Sequence, residues 1–133
     1  MELPDGRIVT GKTSKLLGAT SAALLDALKA LGGIDDNIRL LAPAILEPVQ
    51  DLKVNHLGNV NPRLHTDEVL LALSICAVTN PLAEIAMQQI ERLEGSELHS
   101  TVILSQVDEN LMKKLGVNVT CEPVYETNKL YHK

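Results

Sequence analysis

A chain of 133 residues that is 45% apolar has the material for one folded core and too little polarity for disorder. Its formal charge is −5, it has no Phe or Trp, and no basic run is longer than Lys113-Lys114. Those features exclude the cationic stripe and stacking platforms of a nucleic-acid binder.

No run of about 18 apolar residues is present to span a bilayer, and no basic-then-apolar leader opens the chain. A cytoplasmic location without a membrane partner is therefore expected. Cys76 and Cys121 stand far apart in apolar surroundings and read as free, buried thiols. With aromatics limited to Tyr125 and Tyr131, the core falls to Leu, Ile, Val and Ala.

In chain order, Asp5-Gly6 marks a turn and residues 7–10 read as a short strand. Residues 14–31 carry Leu17, Ala23, Leu24, Ala27, Leu28 and Leu31 on one helical face, stopped by Gly32-Gly33. Residues 38–41 read as a second strand. Pro48 is placed to open a helix that ends at Gly58. Thr66 is expected to cap the next helix, where residues 69–78 are apolar nearly all round and predict burial on most sides.

Asn80-Pro81 opens a helix with Leu82, Ile85, Ala86, Ile90 and Leu93 in one stripe, closed by Gly95. The branched run 101–104 predicts a central strand covered on both faces. A short helix follows over 107–115, stopped by Gly116. In the last strand Val117, Val119 and Cys121 alternate with Asn118 and Thr120. The order β-α-β-α-α-α-β-α-β predicts an α/β fold with a largely parallel or mixed sheet of about four strands. One domain over 1–125 and a polar tail over 126–133 are expected.

Four ordered blocks carry a family resemblance. They are Pro4-Asp5-Gly6-Arg7-Ile8-Val9-Thr10-Gly11-Lys12, Asn61-Pro62-Arg63-Leu64-His65-Thr66-Asp67-Glu68-Val69, His99-Ser100-Thr101-Val102-Ile103-Leu104-Ser105-Gln106-Val107-Asp108 and Thr120-Cys121-Glu122-Pro123-Val124-Tyr125. The chain resembles the C-terminal part of an uncharacterised bacterial family, domain of unknown function eighteen-forty-six. The resemblance implies a three-layer α/β/α sandwich with cytidine-deaminase-like topology. It also implies a longer protein whose N-terminal region is this domain's partner. No activity and no catalytic residues come with it, although some members carry the label of an ATP-dependent zinc protease.

Gly6-Arg7-Ile8-Val9-Thr10-Gly11-Lys12-Thr13 satisfies G-x-x-x-x-G-K-[ST] letter for letter. A phosphate-cradling loop needs a strand before it, and residues 1–5 are too few and too turn-like. Ile8-Val9 also puts strand formers inside the supposed loop, so a nucleotide P-loop is rejected. What survives is an anion site, with Gly11, Lys12, Thr13 and Ser14 offering amides, hydroxyls and a cation at a helix N-terminus. A plain helix cap with a solvated lysine is the competing reading.

His65, Asp67 and Glu68 place an imidazole and two carboxylates before the second apolar helix, a composition fit for acid–base work. Ordinary helix-dipole pairing explains the two acids as well. No metal site is expected. Zinc proteolysis needs H-E-x-x-H, and deamination needs H-x-E with P-C-x-x-C; His65-Thr66-Asp67 lacks the glutamate and neither cysteine belongs to a C-x-x-C.

Ser105 follows the expected central strand, at the carboxyl end where ligand groups collect in open α/β sheets. No G-x-S-x-G elbow makes it a nucleophile. The sequence names no cofactor and does not decide whether the protein is an enzyme. The expectation is a domain contributing to a site for a phosphorylated or other anionic small molecule. The alternative is a structural module that self-associates into a homo-oligomer through Ala- and Leu-rich helix faces.

Overall fold

Glycines punctuate the chain in a computed structural model that describes residues 1–125. Gly33, Gly58, Gly95 and Gly116 all take positive φ and each ends a helical segment or the turn after it. Between these stops run α1 (Ala19–Gly32), α2 (Pro43–Asp51), α3 (Thr66–Cys76), α4 (Pro81–Gln88) and α5 (Gln106–Lys114). The strands are β1 (Glu97–Ser100) and β2 (Asn118–Cys121). A π turn over Leu52–His56 extends α2, and a 3-10 turn over Ile90–Leu93 extends α4. The expected tail over 126–133 lies outside the described residues.

β1 and β2 pair in parallel, Glu97 opposite Asn118 through Ser100 opposite Cys121, with α5 as the crossover. The chain is thus α/β with a parallel sheet, but that sheet has two strands among the described residues rather than about four. Three expected strands are corrected. Residues 7–10 contribute one antiparallel bridge, Ile8 to Glu2, after a turn in which Gly6 has φ 90°. Glu2 then bridges Glu97 on the outer edge of β1.

Residues 38–41 stay unpaired; Leu40 and Leu41 are buried, but the Ile38 amide closes a turn onto Asp35. Residues 101–104 are not a strand because the Ser100 hydroxyl bonds both the Val102 amide and the Val102 carbonyl, folding the chain over. Such local side-chain bonds compete directly with a sheet ladder.

Helix starts moved for similar reasons. Ser14 does not begin α1, because its Oγ accepts from Leu16 and Leu17 and holds a separate turn. The helix starts at Ala19, behind Gly18. α2 opens on Pro43, and Pro48 sits inside it, one turn further along. His65, not Thr66, is the N-cap of α3. The start at Asn80-Pro81 stands as expected, with Asn80 accepting the Leu82 amide, while α5 begins at Gln106, one residue earlier than expected, with Ser105 accepting the Asp108 amide.

The core is aliphatic throughout. Leu24, Leu28, Leu64, Leu73, Leu93 and Met112 are fully buried, and Ala23, Ala27, Ala72, Ala83 and Ala86 let the helix backbones approach. Leu98 and Val117 turn inward from the sheet, while Glu97, His99, Asn118 and Thr120 face solvent.

Two burial expectations fail. Cys76 is buried as expected, but Cys121 is exposed. The run over 69–78 buries Val69, Ala72, Leu73 and Cys76 but leaves Leu71 and Ile75 on α3, and Val78 in the turn after it, bare. No helix among the described residues is long and apolar enough to cross a membrane.

Candidate functional site

Parallel β1 and β2 bring their carboxyl ends to one side, and the chain leaving β1 forms the roof of a furrow there. Three adjoining hollows compose it. The first, about 390 Å³, lies between residues 10–13, the start of α1 and residues 98–102. A narrow second one shares Thr20 and Ser100 with the first, and His65 and Ser105 with the third. The third, about 490 Å³, runs past Lys53, Asp67, Glu68 and Tyr125. The segments holding Lys12 and His65 therefore stand along one furrow.

Each predicted residue has a defined place. Gly11 lies against the first turns of α1 so closely that a Cβ there would sit 2.3 Å from the Ala19 oxygen and 2.4 Å from the Ala23 nitrogen. Lys12 and Thr13 line the first hollow. They sit on a loop beside the helix end, not in its first turn as the sequence suggested. Ser14 is turned into its own loop, where the Arg63 Nε donates to its carbonyl at 2.6 Å. Ser105 lines the second and third hollows with its hydroxyl occupied as the cap of α5.

The two helix mouths differ in electrostatics. At α3 the amides are taken by acids: Glu68 Oε1 accepts from the His65 amide, Asp108 from the Thr66 amide, and Asp67 from the Glu68 amide. Asp108 also accepts from the Thr66 hydroxyl, at 2.9 Å. This mouth holds its own anions and has no amide to offer a guest at those positions.

At α1, Gly18 supplies no side-chain cap. Thr20, in the first turn, is 5% exposed, lines both the first and second hollows, and its hydroxyl has no partner among the described residues. Its neighbour Ser21 is spent on the Leu64 carbonyl.

The His65, Asp67 and Glu68 ligand atoms lie within 4.8 Å of one another. Their charge is already answered. Lys53, whose side chain is 6% exposed, places Nζ 2.8 Å from Glu68 Oε1 and also donates to the Arg63 carbonyl. The ammonium competes for Glu68 Oε1 with any cation that the three groups would hold.

Sequence reasoning missed Thr20, Lys53 and the capping role of Asp108. Thr20 stood inside an expected helix, and nothing in the spacing of Lys53 or Asp108 marks contacts 15 and 42 residues away. A further pairing escaped it: His99 meets Thr120 across the strands at 2.8 Å and Glu122 at 3.2 Å, on the exposed sheet face.

A small α/β domain with a furrow at the carboxyl ends of a parallel strand pair is the class that fold and site define. The chain belongs to the family described as "Domain of unknown function DUF1846, C-terminal", which it matches over residues 1–131. It is 53% identical over 133 residues to the UPF0371 protein stu1377 of Streptococcus thermophilus, and equally to the UPF0371 protein SpyM50764 of Streptococcus pyogenes serotype M5. The match covers all of this chain and 27% of each relative, so the chain spans about a quarter of their length.

Proposed function

We propose that this domain forms one wall of a site for a small anionic molecule, phosphate- or carboxylate-bearing, at the N-terminus of α1. The observation that carries the reading is Thr20, a residue 5% exposed whose unpartnered hydroxyl reaches the furrow at a helix mouth with no side-chain cap. Free amides and a hydroxyl there suit an oxyanion, and the dipole of a 14-residue helix favours negative charge. Lys12, on the opposite lip, adds a cation, and Thr13 a second hydroxyl.

His65 stands further along, where Glu68 sits 3.5 Å from its Nδ1. All three side chains serve the start of α3, His65 through one side of its ring in the capping box, so the rest of that imidazole is what the trio has left to move a proton. Ser105 shapes the floor between the two.

We assign the remaining walls to the preceding region of a longer cytoplasmic protein, with residues 1–125 as a single domain within it. On this reading further strands from that region enlarge the pair toward a three-layer sandwich of cytidine-deaminase-like topology. The outer edge of β2 supports it, since no strand pairs with that edge among the described residues. Isothermal titration with inorganic phosphate, then with nucleotides and sugar phosphates, tests the site. Binding is expected to fall about tenfold or more in Thr20→Val and in Lys12→Ala. No heat from any anion, or affinity unchanged from the parent in both variants, overturns the proposal.

A further inference from the structure

Away from the furrow, Leu71 and Ile75, a turn apart on one side of α3, and Val78, in the turn just after it, expose 65%, 54% and 82% of their surface. The stripe runs into a hollow of about 650 Å³ walled by Ala44, Ile45, Ile75 and Val78, with Arg39 as its one charged wall residue. None of these residues lines the furrow. Scattered apolar side chains on a surface need no explanation, but a contiguous apolar stripe beside an apolar hollow marks a docking surface.

We propose that this face seats the polypeptide that precedes the domain in full-length family members. The relatives carry nearly three-quarters of their length outside the match, and the matching region is their C-terminal domain. A free dimer draws on about 20–30 residues a side. Here ten residues line the hollow and Leu71 extends the stripe, fewer than a free dimer uses, which suits a tethered neighbour whose effective concentration is in the millimolar range. The segment received is apolar, with a carboxylate placed opposite Arg39.

The test mixes the 133-residue chain with the purified region of the Streptococcus thermophilus relative that lies outside the match. Size-exclusion chromatography with light scattering is expected to show a one-to-one complex. Ile75→Glu and Val78→Glu are each expected to weaken it about tenfold or more, leaving the melting temperature of the isolated chain and its phosphate titration unchanged. No complex, or one indifferent to both substitutions, overturns the proposal. So does a dimer of the chain alone that Ile75→Glu dissolves, which would give the face to a second copy. The phosphate titration reads the furrow separately, so failure of one reading is distinguishable from failure of the other.

Discussion

Replacing Asp108 by alanine removes one carboxylate oxygen that accepts from both the Thr66 amide and the Thr66 hydroxyl at 2.9 Å. Thr66 is fully buried and Asp108 is 8% exposed, so no water replaces the lost acceptor without rearrangement. Each orphaned buried donor costs about 1–3 kcal/mol, and the lost charge at the mouth of α3 adds a few tenths. The expected total is about 3–4 kcal/mol.

With a urea m-value of about 2 kcal/mol/M, that lowers the unfolding midpoint by roughly 1.5–2 M. Far-UV circular dichroism is the suitable probe, since the chain has no tryptophan. Asp108→Asn keeps an acceptor and is expected to lose about 1 kcal/mol. Thr66→Val removes the hydroxyl donor in advance, so Asp108→Ala should cost measurably less in that background. A loss below about 1 kcal/mol for Asp108→Ala, or equal losses for Ala and Asn, would refute the view that this oxygen ties α5 to α3.

Gly11→Ala drives a Cβ into backbone atoms of α1 that cannot swing aside. The loop bearing Lys12 should lift, with about 1–3 kcal/mol lost in urea unfolding and weaker phosphate binding by calorimetry. Lys53→Met strands Glu68 beside the acids of α3 and is expected to cost about 2 kcal/mol; adding Glu68→Gln should recover part of it, read in the same denaturation assay. Burial pushes the Asp26 carboxyl above its usual range despite nearby Lys29. A raised folded-state pKa means stability is present in acid and declines as pH rises through that value, so Asp26→Asn should flatten the decline and gain on the parent as pH rises above the ordinary carboxylate range. Parallel curves for the two proteins would rule that out.

Helix punctuation was legible because its causes are local. Gly33 and Gly116 take the left-handed geometry that ends a helix, and Asn80 and Ser105 cap through their own side chains. Strands were less legible. β1 has one buried residue in four, Leu98, and so lacks the apolar signature that residues 101–104 carry. That run instead packs into the core and the furrow roof, with Leu104 buried. The candidate site was half legible: the sequence found both polar segments and the furrow sets them in line. It could not show that α3 is capped by Asp108 from 42 residues away, or that the open mouth belongs to Thr20.

Leu64 joins the two halves of the furrow. Its carbonyl accepts from the Gly18 amide and from the Ser21 hydroxyl, 43 residues distant, and its amide donates to Leu16. Unfolding scatters those walls, so an occupant binds the native chain and not the unraveled one. Mass action then raises thermal resistance with dose, by about 2.7 kcal/mol at a hundred times the dissociation constant. A melting curve thereby becomes a search instrument, able to pick the proposed anion out of a metabolite library.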